Sequence, residues 1–237
     1  MSLPFEPGFA RQAIVLMAGS RWWLLPLLPL VWPVLLRILF LFNGESIEPE
    51  AVQGAVIGIP LAALAIFLGI RVIAGEIDDG SLEVSYTVPG GIEKLWFAKL
   101  GASLAILIVA EALLAVAALV LFHPYPPGVL YGALQAATFY LVLSTAFGAL
   151  FRGEAAAAMA TGIVLAFNGM ISDMGENQIV ISPFYNPYAL AADPKTILSS
   201  GEILARTLQN RIGIVIVMTG ILALAFMRAN RRERMLE

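Results

Sequence analysis

VQGAVIGIPLAALAIFLGIRVIAGEIDDGSLEVSYTVPGGIEKLWFAKLGASLAILIVAEALLAVAALVLF, residues 52–122, holds two long apolar runs around one charged stretch. Each run is long enough to cross a bilayer, which takes about 20 apolar residues. Neither alternates with a period of two, so each reads as a helix and not as a strand of a membrane barrel. Working outward, similar runs cover 24–42, 130–150, 155–171 and 205–227, beside 52–73 and 100–122. The chain therefore reads as an all-α integral membrane protein with six transmembrane helices. Together with their loops these runs fill residues 1–237 as a single transmembrane domain, leaving no length for a soluble catalytic domain.

Composition agrees. Of 237 residues 59% are hydrophobic and 13% charged, where a soluble domain carries about 25% charged residues. The absence of cysteine removes thiolate nucleophiles, iron–sulfur clusters and the usual zinc sites, and the single histidine, His123, cannot build a multi-histidine centre. The expectation is no metal. A net charge of −3 gives no basic footprint for nucleic acid.

Ahead of the first run, residues 8–21 followed by Trp22 and Trp23 read as an interfacial helix anchored by Arg11, Arg21 and the tryptophans. The run 24–42 is too long for the apolar core of a cleaved signal peptide. It contains Pro26, Pro29 and Pro33, each of which deletes a backbone hydrogen bond. Gly54 and Gly58 have the spacing that lets two helices approach closely. The turns HPYPPG, 123–128, and FRGE, 151–154, are short. A long polar segment, 172–204, follows the fifth run. Its Phe184, Tyr185 and Tyr188 suit a membrane interface, and Ser199 with Glu202 forms the S-x-x-E pattern that starts a helix.

Orientation follows from the basic residues. With both termini cytoplasmic, ten of the fourteen lie inside: Arg11, Arg21, Arg71, Lys94, Lys99, Arg152, Arg228, Arg231, Arg232 and Arg234. The first outer loop, NGESIEPE, is purely acidic. The location expected is the cell (inner) membrane.

The stretch 74–99 is the most charged internal segment, with Glu76, Asp78, Asp79 and Glu83 on the side where positive charge is the norm. Asp78, Asp79 or Ser81 can cap a short helix beginning near Leu82, Gly80 permits the turn before it, and Pro89, Gly90 and Gly91 break the chain before a helix that starts near Ile92. The outcome is a short helix held out by two long ones.

E-I-D-D-G-S-L-E, 76–83, followed by Pro89 and Lys99, resembles the signature of the type-2 ABC exporter permeases, E-x-x-x-G-[ST]-x-E with a later Pro and Lys. DGSLE also resembles the haem-exporter B subunit family. The motif spans about 25 residues; the architecture, with its interfacial helix, six spans, long outer segment and basic tail RANRRERMLE, agrees over most of the chain. The resemblance implies a permease subunit that pairs with a second permease copy or a homologous permease and with two copies of an ABC ATP-binding subunit. It implies that Glu76, Asp78, Asp79, Gly80, Ser81, Leu82 and Glu83 couple to that ATPase. It also implies that Phe184, Tyr185 and Tyr188 belong to an outer gate segment. No G-x-x-x-x-G-K-[ST] occurs here, so ATP and Mg belong to the partner subunit and this chain is no enzyme. An intramembrane enzyme would need paired catalytic groups at membrane depth, and Glu111 stands alone there.

Two intramembrane polar residues remain. Glu111 reads either as a contact for substrate or proton or as a protonated carboxyl bonded between helices, because a charge at that depth costs at least about 2.5 kcal/mol. Asn168 reads as interhelical glue or a pathway residue. The apolar spans imply a hydrophobic or amphipathic exported substrate, with membrane lipids as neighbours. The alternative function is an ABC-type membrane subunit that transmits force to an envelope complex without moving a substrate.

Overall fold

The computed structural model describes Ile14, Val15, Met17 and residues 19–43, 47–86, 91–172 and 179–230. Among these residues every regular element is helical. We number them α1 (Trp22–Asn43), α2 (Pro49–Asp78), α3 (Leu82–Ser85), α4 (Ile92–Leu121), α5 (Gly128–Phe151), α6 (Glu154–Ser172), α7 (Pro187–Ala192) and α8 (Ser200–Ala229). Five of them, α1, α2, α4, α5 and α8, are long and apolar enough to cross a membrane. This is the architecture of a helical membrane protein. The fifth apolar run forms α6, whose apolar part, Glu154–Met170, is shorter than those five.

Several boundaries differ from the sequence reading. The charged stretch 74–99 is largely helical: α2 continues to Asp78 and α4 begins at Ile92, so the connection is 79–91. Helical propagation past Ile73 is favoured because Gly75 and Glu76 pack inward instead of meeting water. The last run likewise extends outward to Ser200–Ala229. The expected capping box is present: Ser199 Oγ accepts from Glu202 N–H at 3.3 Å, and Glu202 Oε2 accepts from Ser199 N–H at 2.8 Å. Most of the interfacial stretch 8–21, Ser46, Pro89, Gly90 and the basic tail from Arg231 lie outside the described residues.

α1 is a 3-10 helix over Trp22–Leu30 and an α-helix over Val31–Asn43. Pro26 and Pro29 inside the first part account for this, since neither can donate a main-chain bond. α2 also changes pitch. Val52–Gly58 is π-helical, with Ile59 N–H bonded to Gly54 C=O, five residues back. The next residue, Pro60, has no N–H, so the Ala55 carbonyl has no main-chain donor. Trp32 on α1 supplies it: its indole Nε1 donates to Ala55 C=O at 2.7 Å. A backbone group orphaned in apolar surroundings is thus satisfied from the neighbouring helix.

α2 is the most enclosed helix, and its most extensive partner is α5. The two approach closely at Gly69, where a Cβ would collide with Ser144 Oγ. Thr145 Oγ1 donates to Gly69 C=O at 3.2 Å across the same crossing. Small residues and hydroxyls serve this role because helices gain nothing by exchanging lipid tails for leucines. The Gly54–Gly58 pair does not make such a crossing: nothing lies within 4 Å of a Cβ at Gly54, and Gly58 faces the ring of Phe184.

Candidate functional site

Because long helices consecutive in the chain run antiparallel, the end of α2 lies beside the start of α4, the start of α6 and the ends of α5 and α8. Polar side chains gather at this end and at the opposite one.

At the end where α2 finishes, Glu76 and Lys99 form an ion pair of 2.6 Å, with side chains 5% and 4% exposed. Trp96 Nε1 donates to Glu76 Oε2 at 3.3 Å, and Lys99 Nζ also donates to Val72 C=O at 3.3 Å. A buried pair survives only when its remaining lone pairs and protons are also met, and here both partners have such second contacts. The pair pins α2 to the first turns of α4. Two residues after Glu76, Asp78 Oδ2 accepts from Glu154 N–H at 2.8 Å, capping the start of α6. Asp78 therefore caps α6 and not the short helix α3, because its position in the last turn of α2 turns the carboxylate toward the neighbouring helix. Arg71 Nη1 reaches Glu154 Oε1 at 2.7 Å, and Arg71 Nε reaches Met17 C=O at 3.1 Å. Asp79 is a looser partner of Arg71, at 3.8 Å.

The turn into α3 uses Gly80 at φ +65°, and α4 opens after Gly91 at φ +86°. Such angles strain any residue with a Cβ. Ser81 Oγ donates to Glu76 C=O, so the serine closes the end of α2 instead of capping α3. Leu82 is buried, while Glu83, Asp79 and Gly80 are exposed. The seven motif residues thus divide: Glu76 and Leu82 face inward, Ser81 is half-buried, and Asp78, Asp79, Gly80 and Glu83 are exposed. α3 is tied on its far side too, because Tyr86 Oη donates to Ala229 C=O at 2.6 Å at the end of α8. Arg228 Nε donates to Ala149 C=O at 3.1 Å, Asn230 bonds Glu93, and Phe226 packs edge-on to Phe97 with centroids 4.8 Å apart.

At the opposite end, amides hold the irregular segment 179–193. Gln53 Nε2 donates to Tyr185 C=O at 3.0 Å; Asn186 Nδ2 donates to Glu50 C=O at 2.6 Å while its Oδ1 caps α7; Asn210 Nδ2 donates to Val180 and Ser182 carbonyls at 2.6 and 2.9 Å. The carbonyls at 180, 182 and 185 lie outside any long helix and that of Glu50 lies in the first turn of α2, and each bond supplies the donor that buried backbone requires. Tyr185 is 1% exposed. Phe184 lies against Gly58 and the ring of Tyr140, with centroids 5.8 Å apart, and the Tyr188 hydroxyl abuts Gly128. Phe184 and Tyr188 therefore pack on the first halves of α2 and α5, with Tyr185 buried beside them in the chain.

Asn168 accepts from Ser182 Oγ at 3.1 Å, joining α6 to this segment. It also borders a cavity of about 550 Å³ between α2, α6 and the segment, lined by Gly54, Ala55, Gly169 and Phe184 among others. Glu111 is 8% exposed on α4, and its Oε1 is enclosed without a hydrogen-bond partner. The nearby Tyr125 phenol, in the turn after α4, is held above its usual pKa by burial and secondarily by Glu111. Glu111 and Asn168 are not brought together.

Sequence reading missed Arg71 with Glu154, Gln53, Gln135, Asn210 and Arg211 as structural polar groups. An Asn or Gln inside an otherwise apolar run is the available signal, and Gln53 and Gln135 carry it, whereas Asn210 sits between Gln209 and Arg211. No protein-family model, no curated protein and no solved structure matches this chain.

Proposed function

We propose that the chain is the transmembrane permease subunit of an ATP-binding cassette exporter of the type-2 class. In this reading it crosses the cell (inner) membrane six times with both termini cytoplasmic. It pairs with a second permease copy or a homologous permease, and two separate ATP-binding subunits carry ATP and Mg. The observation that carries the reading is the mounting of α3. This short helix projects between two long ones, exposes Glu83 beside Asp79 and Gly80, and is rooted on a buried ion pair that locks α2 to α4. A push on α3 from a soluble partner would reach both long helices together, and through Tyr86 a third. Asp79, Gly80 and Glu83 then serve as contact residues, and Glu76 with Lys99 as the joint behind them. Asp78 and Ser81 set the turn from which the helix projects.

A hydrophobic or amphipathic cargo suits the cavity beside Asn168, whose lining is small and apolar apart from Asn168, Ser182 and Asn186. The test is affinity purification of the tagged chain from its native membrane in mild detergent. A stoichiometric partner with a P-loop is expected, and Glu83→Ala should weaken that association while leaving the chain folded. A partner set without an ATPase removes the exporter reading. Single cysteines placed at Ser85 and at Lys195, labelled from outside intact cells, should react only at 195; the reverse result overturns the orientation.

A further inference from the structure

We infer that Arg211 is the anchor of a binding site for a phosphate-type oxyanion, filled in the membrane by the headgroup of an anionic phospholipid. Arg211 is half-buried on α8 and, among the described residues, no carboxylate pairs with it; the three ion pairs there use Arg71 and Lys99 only. Its partners are neutral. Nη1 donates to Gln135 Oε1 at 2.9 Å and weakly to Asn210 Oδ1 at 3.4 Å, and the guanidinium lies over the Tyr131 ring, 5.2 Å from its centroid. A guanidinium has five N–H donors in a rigid fork. Among the described residues, neither Nε nor Nη2 meets a protein acceptor. That leaves free the two-pronged edge, which matches a phosphate or carboxylate in bidentate geometry.

The side chain is also held in place. Gln135, 6% exposed, returns a bond from Nε2 to Arg211 C=O at 3.3 Å, so the two residues clasp each other across α5 and α8. A long cationic side chain at a membrane edge ordinarily keeps its freedom and reaches for water. This one is oriented by a buried amide and an aromatic face before any ligand arrives. Its depth fits a headgroup: residues 212–227 after it carry no charge, while Glu202 and Arg206 precede it. Arg211 is therefore the last charge before the apolar part of α8, where a bilayer places its phosphates. The inference rests on the membrane character of the chain and not on the exporter reading.

The test uses the full chain in nanodiscs of phosphatidylcholine with or without phosphatidylglycerol, with lipids retained on the protein counted by native mass spectrometry after extraction. Wild type should retain phosphatidylglycerol selectively. Arg211→Gln should weaken retention at least about tenfold, and Arg206→Gln, outside the clasp, much less. Arg211→Lys keeps the charge without the fork and should fall between, which keeps the inference testable if Arg211→Gln does not fold. Inorganic phosphate added at millimolar concentration separates the sources: displacement of the lipid assigns the site to a soluble phosphate as well, and persistence assigns it to the lipid. Equal retention by wild type, Arg211→Gln and Arg211→Lys overturns the site.

Discussion

The two ends of the bundle solve the same problem with different chemistry. Where α2 finishes, charged side chains reach other side chains or helix ends: Glu76 to Lys99, Arg71 to Glu154, Asp78 to the first N–H of α6. Where α2 begins, neutral amides reach main-chain carbonyls of one irregular segment. The first arrangement ties long helices to each other and fixes their relative position. The second chiefly ties a segment down, with neutral bonds such as the Gln135–Arg211 clasp and Trp32 to the Ala55 carbonyl joining the helices beneath it. A device that must deliver movement into the membrane is better built at the first end, and a cover that must lift is better built at the second, since amide bonds to carbonyls exchange for water at little net cost.

The sharpest break in that contrast is Lys99→Met. Removing one partner strands Glu76 in an apolar site, and the expected loss is about 3–5 kcal/mol. Thermal unfolding in detergent should show it, with Trp96 emission reporting the change because its indole bonds Glu76. The double variant Glu76→Leu, Lys99→Met should recover most of the loss; if it does not, the pair contributes more than local charge balance. Asn210→Ala comes next. It strips the donor from two buried carbonyls, for an expected about 1–3 kcal/mol, and should speed limited proteolysis between residues 179 and 193 while leaving cleavage near α3 unchanged. Asp78→Ala removes a helix cap at about 1 kcal/mol, seen as a small drop in unfolding temperature. Glu83→Ala should change stability by no more than about 0.5 kcal/mol, the usual effect of an exposed substitution. Its stability readout should be silent while its effect on partner binding is not.

What could be read from the sequence was what is local. The apolar runs mark the five long helices, Ser199 and Glu202 sit three residues apart, and the break at Gly91 precedes α4, because each signal and its partner lie within a few residues. The motif drew attention to Glu76 and Lys99 as separate points. That they bond each other follows from the antiparallel return of α4 along α2, which no spacing within the run expresses. Asp78 was open to several roles for the same reason: a carboxylate at a helix end can turn to its own loop or to a neighbour, and only the position of α6 decides. Gln53 is legible as an oddity in an apolar run and Asn210, between Gln209 and Arg211, is not; neither is legible as a donor, since their acceptors, at 180, 182 and 185, belong to a stretch without regular structure. The π-helical start of α2 left only one trace in the sequence, Pro60.

That wide turn works like a shifted reading frame. A π turn accommodates one residue more than the α-helix around it, so residues before Val52 and after Gly58 are out of phase by about 100° of rotation, the angle per residue in an α-helix. Gln53, inside that stretch, faces the Tyr185 carbonyl, and Gly69, beyond it, faces Ser144. Deleting a single residue within 52–58 would leave composition and hydropathy almost untouched, yet turn the amide away from the segment it secures or the glycine away from α5. Length, at this one place, carries information that chemistry elsewhere in the helix cannot replace.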